Sequence, residues 1–219
     1  MKGIFITFEG PEGCGKTTQS KLLADLLASM GYNVVLTHEP GGTNIGEKIR
    51  KMLLDPQNGE MLPFSELFLF LASRYQLVNE LIEKQLEAGN IVICSRYTDA
   101  TLAYQGYGRG LDINILNQLN DIATNKIYPD LTILLDMNPE SGLVRVKERI
   151  ENKKENIVIP MEKDRIEEER IEFHTRVREG YLDLCRKYPA RIKRIDADDT
   201  LENVQAKVKE LVIDVLEKV

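Results

Sequence analysis

Tryptophan is absent from the 219 residues, histidine occurs twice (His38, His174) and cysteine three times (Cys14, Cys94, Cys185). Two histidines and three scattered cysteines with no C-x-x-C pair leave no zinc-type cluster. An odd set of distant thiols is not a disulfide framework either, and reads as reduced. No apolar run reaches the 18 residues of a membrane-spanning helix, and the N-terminus reads as a folded strand carrying one Lys, not as a signal peptide. The expectation is a soluble, cytoplasmic protein. Positive charge is in the minority: 29 Lys and Arg stand against 35 Asp and Glu, a net charge of -6. That balance argues against a nucleic-acid partner, which would want a basic surface, and it still allows a small anionic ligand held by a few focused cations.

What is present is enough apolar material, 42 %, to bury a full core, most simply as one domain over residues 1–219. The chain is organised around residues 3–27. The run Ile4-Phe5-Ile6-Thr7-Phe8 is short and β-prone, and it leads into Gly10-Pro11-Glu12-Gly13-Cys14-Gly15-Lys16-Thr17-Thr18, which contains G-x-x-x-x-G-K-[ST]. Leu22, Leu23, Leu26 and Leu27 then recur at helical spacing. A polyphosphate needs this arrangement: loop N–H groups that point inward, a helix N-terminus behind them, and no side chains to obstruct the approach. Lys16 supplies a cation for the outer phosphates, and the Thr17 hydroxyl can ligate Mg²⁺.

Further along, strands are expected over residues 32–37, 91–94, 131–135 and 191–195, and helices over 44–54, 63–88, after Pro139 and from Thr200. Gly31 and Gly89 read as helix stops and Asp112 as a helix cap after a glycine-rich segment, residues 106–110. Alternating strands and helices, with most strands as single buried runs, mean an α/β three-layer sandwich: a central parallel sheet of about five strands flanked by helices. Ligands of such sheets sit at the carboxyl ends of the strands, so the loops after Phe8, Thr37, Cys94 and Leu135 are expected to converge on one cleft. Residues 149–170 are dense in both charge signs. They read either as a solvated helix pair or as a mobile cationic lid, at about 149–165, that excludes water from the phosphates.

Several phosphate-loop classes compete. A guanine-reading N-K-x-D is approached only by Asn125-Lys126-Ile127-Tyr128-Pro129-Asp130, with two extra residues and a Pro, and the chain is short for a motor or AAA-type ATPase. A compact protein with a charged flap fits a small-molecule kinase.

Six segments make the resemblance specific: F-E-G-P-E-G-C-G-K-T-T from Phe8, H-E-P-G-G-T from His38, F-L-A-S-R from Phe70, R-Y-T-D-A-T-L-A-Y-Q-G-Y-G-R-G from Arg96, L-D-M-N-P from Leu135 and D-R-I-E from Asp164. In order and spacing, over almost the whole chain, the sequence resembles the thymidylate kinase family, which converts dTMP to dTDP with ATP and Mg²⁺. The resemblance implies a homodimer and assigns roles. Lys16 and the loop from Gly10 to Thr18 hold ATP, with Arg145 and residues 196–199 near adenine. Arg96 holds the dTMP phosphate. Arg149 stands where a lid arginine stabilises the transferring group, with Lys153, Lys154 and Arg165 as rivals. Phe70 stacks on thymine, Arg74 reaches its carbonyl oxygen, and Thr101 and Gln105 face the pyrimidine edge. Tyr104 presses where a 2′-hydroxyl would sit, and Glu12 accepts from the 3′-hydroxyl. The acceptor is a phosphate with a second pKa of about 6, so no general base is required and no catalytic His is expected.

The chain departs from the family at Ser95, where Asp or Glu usually precedes R-Y and helps organise Mg²⁺; a serine can act there only through a coordinated water. His38 replaces a common Arg, and the flap is longer around Ile157-Val158-Ile159-Pro160. Two rival functions stay open: a kinase for another nucleotide, and a P-loop ATPase without an acceptor.

Overall fold

The computed structural model describes residues 3–154 and 164–217, without the side chains of Lys153 and Lys154. The side chains of both rival lid lysines, and the long part of the flap around Ile157 to Pro160, lie outside what is described.

Five strands, β1 (Ile4–Glu9), β2 (Val34–His38), β3 (Ile91–Ser95), β4 (Leu131–Asp136) and β5 (Ile192–Asp196), form one parallel sheet in the order β2-β3-β1-β4-β5. The connecting helices are α1 (Lys16–Ser29), α2 (Asn44–Leu54), α3 (Pro63–Leu77), α4 (Glu83–Glu87), α5 (Thr98–Thr101), α6 (Ile113–Thr124), α7 (Pro139–Lys154), α8 (Ile171–Lys187) and α9 (Leu201–Leu216). This is the three-layer parallel α/β architecture expected from the sequence.

Every residue of β1, β3 and β4 is buried, because helices cover both faces of the sheet. On one face Ile4, Ile6, Phe8, Ile91, Ile93 and Ile133 pack with Leu23 and Leu27 of α1 and Val204, Val208 and Val212 of α9. On the other, Phe5, Val92 and Cys94 meet Leu77, Val78, Ile82 and Leu86. Alternation along each strand is therefore alternation between two dry interfaces, and the pattern reads as an unbroken apolar run. The edge strands β2 and β5 are only partly covered.

The caps follow local chemistry. Asp112 accepts from the Asn114 N–H at 2.7 Å to start α6, and Thr200 accepts from Asn203 at the head of α9. Gly89, at φ 79°, ends the helix begun at Pro63. That helix is not uniform as the sequence suggested: a π-helical turn, Val78–Ile82, separates α3 from α4. The glycine-rich stretch before α6 also differs from expectation. Gly106 and Gly108 lie inside a π-helical segment, Leu102–Gly108, that continues α5. Their glycines serve close packing: a Cβ on Gly108 would lie 2.6 Å from Phe173 of α8, and one on Gly106 would lie 2.4 Å from Ile113. Only Gly110, at φ 80°, acts as a turn.

Candidate active site

Beyond the carboxyl ends of β1, β2 and β3 lies a cleft of about 920 Å³. The chain leaves β1 for β2 and β3 on one side and for β4 and β5 on the other, so the cleft opens at the reversal of strand order. Three of the four expected loops line it. The fourth, after β4, does not; α7, which follows, contributes Arg145, Val146 and Arg149 instead.

The loop between β1 and α1 carries Gly10, Gly13 and Gly15 at φ 140°, 72° and 94°. A Cβ on Gly13 would lie 2.1 Å from the carbonyl oxygen of Gly142, so α7 packs directly on this loop. Lys16 Nζ donates to the carbonyls of Gly10 (2.9 Å) and Pro11 (2.7 Å) and lies 3.5 Å from Cys14 Sγ. The ammonium thus sits at the mouth of the loop, beside exposed Thr17 and Thr18.

Arg96 follows β3 directly, with φ at 72°. Its guanidinium donates to Glu12 Oε1 at 2.5 Å, to Tyr104 Oη at 3.0 Å and to the Gly10 carbonyl at 3.3 Å, and lies 4.8 Å from the centre of the Tyr104 ring. Tyr104 Oη also donates to Glu12 Oε1 at 2.8 Å. Burial pushes the Glu12 carboxyl up, but Arg96 and Lys16 outweigh it and hold the group at about 2. Glu12 is therefore an anion throughout the neutral range.

Beneath this cluster lies Glu9, fully buried. Its carboxylate accepts from the backbone N–H of Tyr97 (2.7 Å) and of Ala100 (3.2 Å) and from the Tyr181 hydroxyl (2.8 Å). Burial, with a contribution from Asp99, pushes its pKa up to about 7. Glu9 braces the backbone on which Arg96 sits. Ser95, 8 % exposed, ends β3 at the same cleft.

The far end is built by α3 and the α5 segment. Phe70, half-buried, and Arg74, one turn on, line the cleft with Thr101, Tyr104 and Gln105. Arg74 is 1 % exposed and spends every N–H inside the protein. Nε and Nη2 donate to Glu39 Oε2 at 2.8 and 2.6 Å, Nη2 also to the Tyr97 carbonyl, and Nη1 to Thr101 Oγ1 at 2.7 Å and Asn120 Oδ1 at 2.8 Å. Gln105 Nε2 donates to Glu66 Oε1 at 2.9 Å.

Over the cleft, Arg149 Nη2 donates to Glu167 Oε1 at 2.6 Å, and Arg145 pairs with Asp198 at 3.3 Å. Arg165, a rival to Arg149 by sequence, is turned away: it is 5 % exposed, donates to the Leu53 carbonyl and pairs with Glu66 at 2.6 Å. Arg50, Asp164 and Glu167 also line the cleft, and sequence reading assigns none of them a role there. Arg50 of α2 donates to the Pro40 carbonyl at 2.9 Å, and burial lowers its pKa. Asp164 is pushed up to about 6 by burial and by Glu12 and Glu167, and Glu167 itself is the partner of Arg149. The signal for Arg50 was its position one helix after the E-P-G-G-T loop, and nothing in its immediate sequence marked it.

Apart from Arg165, residues 196–199 and the undescribed lysine side chains, all the site residues inferred from sequence except Gly10, Pro11 and Cys14 line this one cleft, and those three belong to the loop at its edge. Among the described residues no helix is long and apolar enough to cross a membrane, and no group of three or more His, Cys, Asp and Glu is placed to hold a metal ion.

Comparison with known proteins gives one consistent result. The family model for thymidylate kinase matches residues 8–208. A thymidylate kinase of Syntrophotalea carbinolica is 50 % identical over 201 residues, 92 % of this chain and 91 % of the relative. One from an Exiguobacterium strain is 45 % identical over 218 residues, 100 % of this chain and 98 % of the relative. Among solved structures, a crystal structure of thymidylate kinase from Ehrlichia chaffeensis superposes with a TM-score of 0.75 at 36 % identity, covering 97 % of this chain and 99 % of that one.

Proposed function

We infer how the cleft works from one premise: the chain belongs to the thymidylate kinase family and phosphorylates dTMP with ATP as donor. The observation that carries the assignment of roles is that Lys16, Arg96 and Arg149 line the same cleft as Phe70, Thr101 and Gln105. A phosphate-binding end and a base-binding end thus face each other.

At the donor end, the loop from Gly10 to Thr18 and Lys16 hold the ATP phosphates, and Arg145 flanks adenine. At the acceptor end, Arg96 holds the dTMP phosphate. The acceptor oxygen is already ionised near neutrality, so the task is to bring two polyanions together, and positioned cations do most of that work. Glu12 keeps Arg96 in place through Oε1, leaving Oε2 for the sugar 3′-hydroxyl. Tyr104, pinned between Arg96 and Glu12, closes the space a 2′-hydroxyl would need, so deoxyribose is selected by exclusion. Phe70 stacks on the base. Thr101 and Gln105 meet its edge, and because all five Arg74 N–H bonds are committed, Arg74 reaches a base carbonyl only by exchange with Thr101 or Asn120. Arg149 exchanges Glu167 for the transferring phosphoryl group, with residues 149–165 as the lid.

Mg²⁺ fits the donor end in part. Thr17 is exposed and lines the cleft, Ser95 would act only through water, and among the described residues no acidic cluster stands ready, so the nucleotide phosphates would supply most of the ligands. When bound, the ion neutralises charge between the outer phosphates. The setting is cytoplasmic, consistent with three free thiols at Cys14, Cys94 and Cys185. The chain pairs as a homodimer through the exposed apolar face of α3 and α6, where Phe64, Phe68, Tyr75, Ile115 and Ile122 stand in solvent.

The deciding assay supplies ATP and Mg²⁺ with a panel of nucleoside monophosphates and scores diphosphate products. dTMP should be the preferred acceptor. Preference for a purine, or phosphate release without an acceptor, would overturn the assignment.

A further inference from the structure

We propose that Glu66 is a positioning residue that fixes the hydrogen-bond polarity of Gln105 beside Thr101, so that the cleft takes a pyrimidine carrying a proton on N3. The proposal rests on the reading above that the base edge meets these two side chains.

Glu66 lies on α3 one turn before Phe70, is 1 % exposed, and is held by three hydrogen bonds and an ion pair. Oε1 accepts from Gln105 Nε2 (2.9 Å) and Arg109 Nε (3.2 Å) and Oε2 from Arg109 Nη2 (3.0 Å), while Arg165 Nη2 makes an ion pair with Oε2 at 2.6 Å. Burial opposes its charge, yet Arg109 and its other partners bring the carboxyl below its usual range. An ionised carboxylate only accepts. The Gln105 atom beside it must then be the amide nitrogen, and the atom left for the cleft is the carbonyl oxygen, an acceptor. Arg74 imposes the opposite condition on Thr101. A guanidinium only donates, so Thr101 Oγ1 accepts from Nη1 at 2.7 Å and its own proton is left to be donated into the cleft.

The wall thus offers an acceptor, the Gln105 carbonyl held in place by Glu66, beside a hydroxyl that can donate. Thymine and uracil present the complement: an N3–H donor beside a carbonyl acceptor. Cytosine presents the reverse at the same two positions, an unprotonated N3 beside an amino donor, so the Gln105 carbonyl would be set acceptor against acceptor. A site built around a specific hydrogen bond rejects the mismatched base far more strongly than a hydrophobic pocket could. None of this discrimination is visible in Glu66 alone, which does not line the cleft.

The test is Glu66→Gln, assayed with dTMP, dUMP and dCMP. In this variant Arg109 and Arg165 claim the new carbonyl oxygen, the new amide nitrogen faces Gln105, and Gln105 turns its own NH₂ into the cleft. The ratio of kcat/KM for dTMP over dCMP should fall about tenfold or more, with dUMP following dTMP and the KM for ATP unmoved. Arg109→Lys, which keeps a cation on Glu66, should leave the ratio as it is. An unchanged ratio in Glu66→Gln, or one common factor lost on all three nucleotides, overturns the proposal in favour of a structural ion pair. Should Glu66→Gln not fold, Gln105→Met decides: Glu66 acts only through the Gln105 amide, so its removal must lower the same ratio, and an unchanged ratio overturns the proposal. A wild-type enzyme with no preference for dTMP over dCMP would instead defeat the placement of the base edge itself.

Discussion

Arg96 carries two separable demands. Its side chain meets Glu12, Tyr104 and the glycine loop, and its backbone holds a left-handed conformation that most L-residues adopt only at a cost on the order of 1 kcal/mol. Arg96→Ala should therefore lower kcat/KM by roughly a thousandfold. Arg96→Gly should be as inactive yet melt at a higher temperature than Arg96→Ala, because glycine adopts this backbone freely. Equal melting temperatures would mean that the turn is relaxed.

Glu9, beneath Arg96, gives a pH dependence whose sign is the reverse of the usual carboxylate. Its pKa is raised to about 7 in the folded chain from an ordinary 4.5. Between those values the native state binds a proton that the unfolded state has released, so stability falls as pH rises across that window. Glu12 acts oppositely. Held at about 2, it stabilises the fold above the ordinary carboxylate range, a contribution lost as pH drops toward 2. In Glu9→Gln the amide can serve the same N–H groups without titrating. The melting temperature of this variant minus that of the wild type should grow from pH 5 to pH 8. A constant difference would show that Glu9 does not titrate there.

At the scale of elements, α7 and the phosphate loop meet with no side chains between them. A Cβ on Gly142 would lie 2.2 Å from the Glu12 carbonyl oxygen. Gly142→Ala must displace either the helix or the loop, and should cost about 1–3 kcal/mol of stability while raising the KM for ATP more than that for dTMP. Thermal melts and initial rates check both. This contact also shows where sequence reading stops. The glycine pattern from Gly10 to Gly15 marked the loop because its spacing carries the chemistry. Gly142 carries no pattern, and the glycine-rich run holding Gly106 and Gly108 reads only as a turn, since what these residues accommodate comes from elsewhere in the chain: Glu12, Ile113 and Phe173. Likewise Arg149 and Arg165 look alike in sequence. Only the fold shows that one guanidinium lines the cleft while the other is buried against Leu53 and Glu66. Arg50 and Glu66 were silent for the same reason: a charged residue on a helix acquires meaning from what the helix is packed against.

At the scale of the molecule, the parallel sheet was legible because strands covered on both faces read as unbroken apolar runs, and β1, β3 and β4 are all of that kind. The weaker periodicity of β2 and β5 follows from their lying at the edges. The same scale governs assembly. Phe68 is 56 % exposed on α3, with the Phe64 ring 6.0 Å away, and Ile122 is 68 % exposed on the neighbouring α6. Phe68→Asp should convert the dimer to a monomer in analytical ultracentrifugation. A wild type already monomeric at assay concentrations would remove the proposed pairing. Charge buried in an apolar contact is costly, whereas the same substitution on a free surface is nearly neutral.

The order of strands has one more effect. Because β1 lies in the middle, flanked by β3 and β4, the nucleotide grip hangs from the most shielded strand of the sheet, and fraying that begins at the margins consumes β2 or β5 first. A chain loosened by heat or denaturant would therefore be expected to keep hold of its triphosphate after its outer strands have begun to exchange their amide protons with the solvent.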